Sequence, residues 1–374
     1  MVFIDWYLPG YKAGGPIRSM ANMISALKSD YVFYVVCRNS DYLESKPYPN
    51  TIPYEWNQLS DNEFVYYISN NSVSVKTIRN VIKSKEFDLV YVNGIWSFYF
   101  SILPVILSKR LKIKRIVVAS RGMLSQQSIG VKTLKKKLFV FVSRILGLYK
   151  KTEFHVTSKE EEAEIKSLSL RQQKIVLLPN FPPPVQETDL KRPEKPVGEL
   201  RLVSIARIAP EKNTLFAIEC LSERKFKGNI IFDLFGSVYN LEYWEKCQEA
   251  VSKLPSNIQV NYWGEIENHL VFGVFQEYHF LFLPTKGENF GHSILESFIS
   301  GCPVIISNTT PWKNLKENKL GWEIELLKEL FAKIIQTALD MEDDEYRDLC
   351  ESCRSYAQMI TENRELKVGY RSFL

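Results

Sequence analysis

The stretch Glu288-Asn289-Phe290-Gly291-His292-Ser293-Ile294-Leu295-Glu296 limits the folds open to this chain more than any other. An apolar run, His279 to Pro284, precedes it. A helical pattern follows, then Gly301 and a second apolar run, Pro303 to Ser307. That order spells strand, loop, helix, turn, strand, with one carboxylate on the loop and one on the helix. Two short apolar runs joined through a helix pair in parallel, because the crossover brings the chain back to the same edge. At about 100° per residue, Ile294, Leu295, Phe298 and Ile299 share one stripe. Glu296 lies roughly 60° outside it and is expected to point along the sheet edge without entering the core. Gly301 is placed to end the helix and Pro303 cannot continue it. Ordinary solvated glutamates on a surface helix are the alternative. The carboxyl ends of parallel strands are where such sheets gather ligands.

A second strand-to-helix junction lies upstream. Leu202 to Ala206 reads as a buried strand, and a helical pattern opens at Asn213, which or a neighbour of which can cap it. Between them run Arg207-Ile208-Ala209-Pro210-Glu211-Lys212. Lys212 sits at the positive end of a helix dipole, which costs a few tenths of a kcal/mol or more unless an anion is near. Arg207 and Lys212 are spaced to clamp a diphosphate. Pairing of Lys212 with Glu211 is the plain alternative.

Ala206 to Asn213 resembles the Arg/Lys motif of retaining glycosyltransferases of family 4. Glu288 and Glu296 are similar to that family's pair of glutamates with seven residues between them, and Gly301-Cys302-Pro303-Val304-Ile305 follows as it does there. The resemblance covers nearly the whole chain and implies a GT-B fold, two Rossmann-like domains facing each other across a cleft. By position, it implies that Arg207 and Lys212 bind the donor's diphosphate and stabilise the leaving group. Glu296 would hold the ribose hydroxyls. Glu288 would contact the transferred sugar, helped by backbone amides around Asn289, Phe290 and Gly291. No metal and no cofactor is implied, since two fixed cations and a helix N-terminus can balance the leaving charge.

The N-terminal part supports the first domain. Val2 to Trp6 is a short apolar run, followed by Pro9-Gly10 and Gly14-Gly15. Pro16 suits the first turn of a helix whose face is Ile17, Met20, Ala21, Ile24 and Leu27. The pair Gly14 and Gly15 lets backbone approach a ligand closely, or makes a tight turn and nothing more. The resemblance places this loop, with Arg18, beside the donor phosphates and acceptor. Further strands are expected at Tyr31 to Cys37, Leu89 to Asn93 and Arg115 to Ala119. Many family members carry a His after the last of these; here Arg121-Gly122-Met123-Leu124 follows. Arg121 is a candidate to bind a phosphate or a sugar hydroxyl, or else a structural ion-pair partner. Loops at Phe235-Gly236-Ser237 and Tyr262-Trp263-Gly264-Glu265 are expected to read the base, with Gly236 and Gly264 among the donor-binding positions. No G-x-G-x-x-G stretch indicates a nicotinamide or flavin site.

At 374 residues, 45% hydrophobic, the chain has material for two cores. The expected division is a first domain over 1–180, a Pro-rich and charged linker over 181–198, a second domain over 199–350, and a C-terminal helix over 351–374 crossing back to the first. Cys350 and Cys353 form a lone C-x-x-C within a helical stretch and read as helix residues rather than metal ligands. The cysteine usage suits a reducing cytoplasm, and no leader is expected because residue 2 already starts a strand. No apolar stretch reaches the roughly 18 residues that span a bilayer. Net charge of +5 is too mild to argue for nucleic acid. From Gly130 to Lys151, Lys132, Lys135, Lys136, Lys137, Arg144 and Lys150 alternate with apolar residues. This reads as a helix for an anionic membrane surface, or as one packed on the sheet with solvated lysines.

The expected function is therefore transfer of a sugar from a nucleoside-diphosphate donor, with retention, to a saccharide acceptor. The family's habits imply a lipid-linked acceptor in surface polysaccharide synthesis, O-antigen or capsule, at the inner face of the cytoplasmic membrane. The alternatives are a non-catalytic nucleotide-sugar-binding or partner protein on the same fold, and a transferase with a small soluble acceptor.

Overall fold

A computed structural model describes residues 1–124, 133–170, 172–184 and 191–374, with backbone alone for 133–134. Two compact units divide the chain. The first is Met1–Phe181 with Asn363–Leu374, and the second is Pro182–Glu362.

The first unit holds β1 (Val2–Phe3), β2 (Phe33–Arg38), β3 (Trp56–Ser60), β4 (Glu63–Ile68), β5 (Leu89–Asn93), β6 (Arg115–Ala119), β7 (Glu153–Val156) and β8 (Lys174–Leu177). Their order across the sheet is β3-β4-β2-β1-β5-β6-β7-β8, parallel throughout except for the β3–β4 pair. Its helices are α1 (Gly15–Leu27), α2 (Val75–Lys83), α3 (Leu103–Arg110), α4 (Thr133–Ile145) and α5 (Lys159–Leu168), with the chain's last helix, Arg364–Phe373. Period-two alternation sorts the strand residues between two cores. Phe3, Val36, Val92 and Val118 face α2 and α3, whereas Val2, Val35, Tyr91 and Val117 face Met20 and Ile24 of α1. Both faces are covered, so the strands read as unbroken apolar runs. The strands at Leu89–Asn93 and Arg115–Ala119 keep their expected bounds, while β2 runs one to two residues later than its pattern suggests.

The second unit holds β9 (Glu199–Ile205), β10 (Asn229–Phe235), β11 (Ile258–Gly264), β12 (Phe280–Leu283), β13 (Val304–Ser307) and β14 (Gly321–Ile324). The order β11-β10-β9-β12-β13-β14 is wholly parallel, the doubly wound arrangement of a dinucleotide-binding sheet. Its helices are α6 (Thr214–Ser222), α7 (Leu241–Val251), α8 (Val271–Phe275), α9 (His292–Ile299), α10 (Lys328–Asp340) and α11 (Asp343–Thr361). Gly301, at φ +72°, ends α9, with its amide and that of Cys302 returning to the carbonyls of Phe298 and Ser297.

Two segments differ from the sequence expectation. Residues 191–198, expected as the end of a stiff linker between the domains, pack into the second unit. Arg192 grips Asp343 through two bonds of 2.7 and 2.6 Å, and the Arg192 guanidinium holds that carboxyl well below its usual pKa. Lys195 is buried with its ammonium against the carbonyls of Pro196, Leu339 and Met341, at the C-terminal end of α10, where a cation is favoured. Burial pushes its pKa down to about 8. The crossing segment is also shorter than 351–374. α11 stays in the second unit because Cys350, Cys353 and Ala357 are buried there, so the return begins at Asn363. There Tyr370 and Phe373 join the first core, and Arg115 donates to the carbonyls of Phe373 and Leu374. Among the described residues no helix is long and apolar enough to cross a membrane.

Candidate functional site

In the second sheet the chain leaves β9 toward β10 and β11 on one side, then returns to β12 on the other. Loops after β9 and β12 diverge at such a switch point and open the crevice where doubly wound sheets bind ligands. The two charged motifs are the loops at that point. One runs from Ala206 to Asn213, the other from Pro284 to Gly291.

The loops are stitched together. Lys286 donates its amide to the Glu211 carbonyl at 2.9 Å, and the Thr285 hydroxyl donates to the same oxygen at 3.0 Å. Asn213, in a left-handed conformation at φ +62°, caps nothing with its side chain; it donates Nδ2 to the Pro284 carbonyl at 3.0 Å. Hydroxyls of Ser307 and Thr309 in turn hold the Thr285 carbonyl. Within this frame Lys212 Nζ meets Glu288 Oε1 at 2.5 Å, with the side chains 18% and 11% exposed. Glu288 is thus the anion that offsets the dipole cost at Lys212, and Glu211 is not its partner. Glu211 instead takes Arg207 at 3.3 Å, and the Arg207 guanidinium lies 5.1 Å from the centre of the Tyr239 ring.

Lys212 has three N–H donors and one partner among the described residues; Glu288 likewise has one. The remaining donors and carboxylate oxygen leave capacity for a ligand. Gly291 precedes α9 at φ +78°, and a Cβ there would press on Ile294 and Trp312. Trp312 donates Nε1 to the Phe290 carbonyl at 2.6 Å, which fixes the Asn289–Gly291 turn above the helix N-terminus. The amides of Ile294 and Leu295, in the first turn of α9, donate to the Gly291 carbonyl at 3.0 and 3.3 Å.

Glu296 departs from expectation. It is buried, 5% exposed, together with Ile294 through Ile299. α9 packs against both α8 and α11, so its flank is covered as well as its stripe. Gly236 has a structural reason of its own. At φ +139° a Cβ would collide with the Ala206 carbonyl, so glycine lets the end of β10 lie against the Arg207 loop. The Gly236 amide donates to the Gly264 carbonyl at 2.7 Å, joining the two expected base-reading loops.

In the first unit Gly14 (φ +71°) is the N-cap of α1, Gly15 is its first residue and exposed, and Arg18 lies half-buried on its first turn. Arg121 is tied down within the unit. It donates to Asn93 Oδ1 at 2.7 Å, Asn180 Oδ1 at 2.5 Å and the Tyr91 hydroxyl at 3.0 Å. Tyr91 continues to His155 Nδ1 at 2.5 Å, and His155 Nε2 lies 2.9 Å from the Leu178 carbonyl. Burial pushes the His155 pKa down to about 3. The three partners of Arg121 are neutral, so they do not make the ion pair expected as its structural alternative. Sequence reading passed over a group at the first sheet's own switch point, between β1 and β5. There Asp5 accepts from Ser97 Oγ at 2.8 Å and pairs with Arg38 at 3.0 Å. Asp5 seemed part of an apolar run; a carboxylate directly after a buried strand was the signal. Cys350 and Cys353 are buried thiols on α11, with the pKa of Cys350 pushed up to about 11 by burial. Of the basic segment, Lys132 lies outside the described residues.

Residues 185–359 match the family described as glycosyl transferases group 1. No curated protein sequence matches the chain. Sucrose-phosphate synthase from Thermosynechococcus elongatus is similar in structure, with a TM-score of 0.70 at 15% identity, over 96% of this chain and 92% of that one. HepE of Anabaena, solved with UDP and glucose, gives 0.69 at 14% identity over 98% of each chain. WaaG, a glycosyltransferase involved in lipopolysaccharide biosynthesis, gives 0.68 at 13% identity over 99% of this chain and 97% of that one. At such identities the likeness is one of fold: the chain has the GT-B fold, and its residues 185–359 are similar to the group 1 glycosyl transferases.

Proposed function

We propose that this chain is a retaining, metal-independent glycosyltransferase of family 4 type. It moves a sugar from a nucleoside diphosphate to a saccharide acceptor, carried on a lipid during synthesis of a surface polysaccharide at the inner face of the cytoplasmic membrane. The observation that carries the reading is the Lys212–Glu288 pair, formed between two loops at a sheet switch point with Arg207 beside it. In the free protein Glu288 holds the Lys212 ammonium in place, so little reorganisation is needed when a diphosphate arrives. As the bond from the anomeric carbon to the diphosphate oxygen breaks, negative charge grows on that oxygen. Lys212, Arg207 and the α9 amides are the groups that receive it. The second oxygen of Glu288 takes a hydroxyl of the transferred sugar, with the amides of Asn289, Phe290 and Gly291 beside it. Glu296, one turn along α9, accepts from the ribose, and its burial favours a short, dry contact. Gly15 meets the donor and Gly14 and Arg18 a sugar or phosphate, on the loop beside the donor phosphates and acceptor, and Gly236 and Gly264 meet the base.

A thermal-shift series with UDP, GDP, TDP and CMP, run without metal, tests the reading. A diphosphate at about 100 times its Kd stabilises the fold by about 2.7 kcal/mol. One nucleotide is expected to raise Tm in the wild type and not in Lys212→Ala. Equal shifts in both proteins, or none with any nucleotide, would refute the site.

A further inference from the structure

α4 carries two apolar faces, and one of them meets solvent. Phe139 and Val140 pack half-buried on the core of the first unit, and Ser143 is buried beside them. The Phe139 ring lies 5.2 Å from that of Trp96, and the Lys136 ammonium 5.4 Å from the same ring. Those contacts fix the helix's rotation. Lys109 fixes its end by donating to the carbonyls of Gly147 and Leu148. The outer face then presents Leu138, Phe141, Val142 and Ile145, at 61, 59, 40 and 58% exposure, and Leu146 beyond them at 76%. Their spacing is that of one continuous helical stripe. An exposed stripe of this size marks an interaction surface, since packing on the sheet already uses the other face.

Charge tells what covers it. From Leu89 to Thr152 the sequence has no Asp or Glu and 13 Lys or Arg, although the whole chain nets only +5. Lys135, Lys137, Arg144, Lys150 and Lys151 are exposed around the stripe. A second copy of this face would set like charges against each other, which is unfavourable.

We propose that α4 docks the protein on an anionic lipid surface. The five apolar side chains enter the boundary between headgroups and acyl chains, and the lysines and Arg144 pair with headgroup phosphates. The inference stands on α4 alone and does not depend on the transfer chemistry.

Vesicle flotation with the full chain tests it. The wild type is expected to float with phosphatidylcholine vesicles containing phosphatidylglycerol and not with phosphatidylcholine alone, and high salt is expected to release it. The double variant Phe141→Ser/Ile145→Ser should float about tenfold less while keeping the wild-type Tm, because both side chains are exposed. Substituting Lys137 and Arg144 by Ser should lower binding and its salt dependence together. Three results would overturn the proposal: no flotation of the wild type on anionic vesicles, equal flotation of the Phe141/Ile145 variant, or a wild-type dimer in sedimentation that this variant dissociates.

Discussion

Arg121 follows β6 and Lys212 follows β9, so both are cations on a loop at the carboxyl end of a parallel strand. Their surroundings differ. Arg121 meets three oxygens of its own unit, and the Tyr91 hydroxyl among them leads on to buried His155. Nearby, Glu161 is saturated in the same way, by Ser120, the Gly122 amide and both donors of Thr157. Among the described residues Lys212 has one partner, itself a carboxylate with room for another donor. A charge bonded to several groups of its own unit holds loops in place. A charge held by one exchangeable partner at a switch point is available to a ligand. Under the proposed function, the same strand-end position serves architecture in the first unit and chemistry in the second.

The largest effect that would break this contrast is on activity. Lys212→Ala is expected to lower kcat by about 10³-fold per folded molecule, the usual cost of removing a donor to developing charge, and to lower Tm as well because Glu288 is left without its cation. Near wild-type turnover, measured by release of the nucleoside diphosphate, would remove the contrast. Arg121→Ala should spare turnover. It leaves Asn93, Asn180 and Tyr91 short of a donor and is expected to cost about 2–4 kcal/mol in urea unfolding, with turnover per folded molecule within a few-fold of wild type. Loss of activity at unchanged stability would place Arg121 in the reaction instead.

Acid sharpens the comparison, because each unit has one buried neutral histidine. His155 and, in the second unit, His279 have pKa values pushed down by burial to about 3 and about 4. Unfolded chains bind these protons near pH 6.5, so between about 6.5 and the folded values the unfolded state holds more protons. Their contribution to stability is whole above pH 6.5 and falls as pH drops, by about 1.4 kcal/mol per group for each pH unit crossed. Both units should therefore weaken together in melts from pH 7 to 5, and His279→Gln should flatten the slope of the second. The smallest effect is expected of Asn213→Ala, about 1 kcal/mol, from loss of its bond to the Pro284 carbonyl. A loss of turnover larger than that stability loss would show that the two loops must be joined for catalysis.

Much of the fold was legible in the chain. Leu89–Asn93 and Arg115–Ala119 appear as strands at their expected bounds, since strands buried on both faces read as unbroken apolar runs. Pro16 and Gly301 marked helix ends because each acts through its own φ. Both charged loops were visible as motifs. What periodicity misjudged was Glu296, because a helical stripe tells which face is apolar and not how many neighbours surround the helix.

By itself, then, the sequence determined the order of strands and helices, the places where helices stop, and which charged residues stand at strand ends. These depend on dihedral preferences and on contacts within a few residues. Only the tertiary structure decided that Lys212 pairs with Glu288, 76 residues away, that Arg121 is captured by Asn93, Asn180 and Tyr91, and that residues 191–198 clasp α10. It also decided which apolar face of α4 is left to solvent. A charge takes the partner that is nearest in space once the water is gone, and that distance is set by sheet order, which no local pattern encodes.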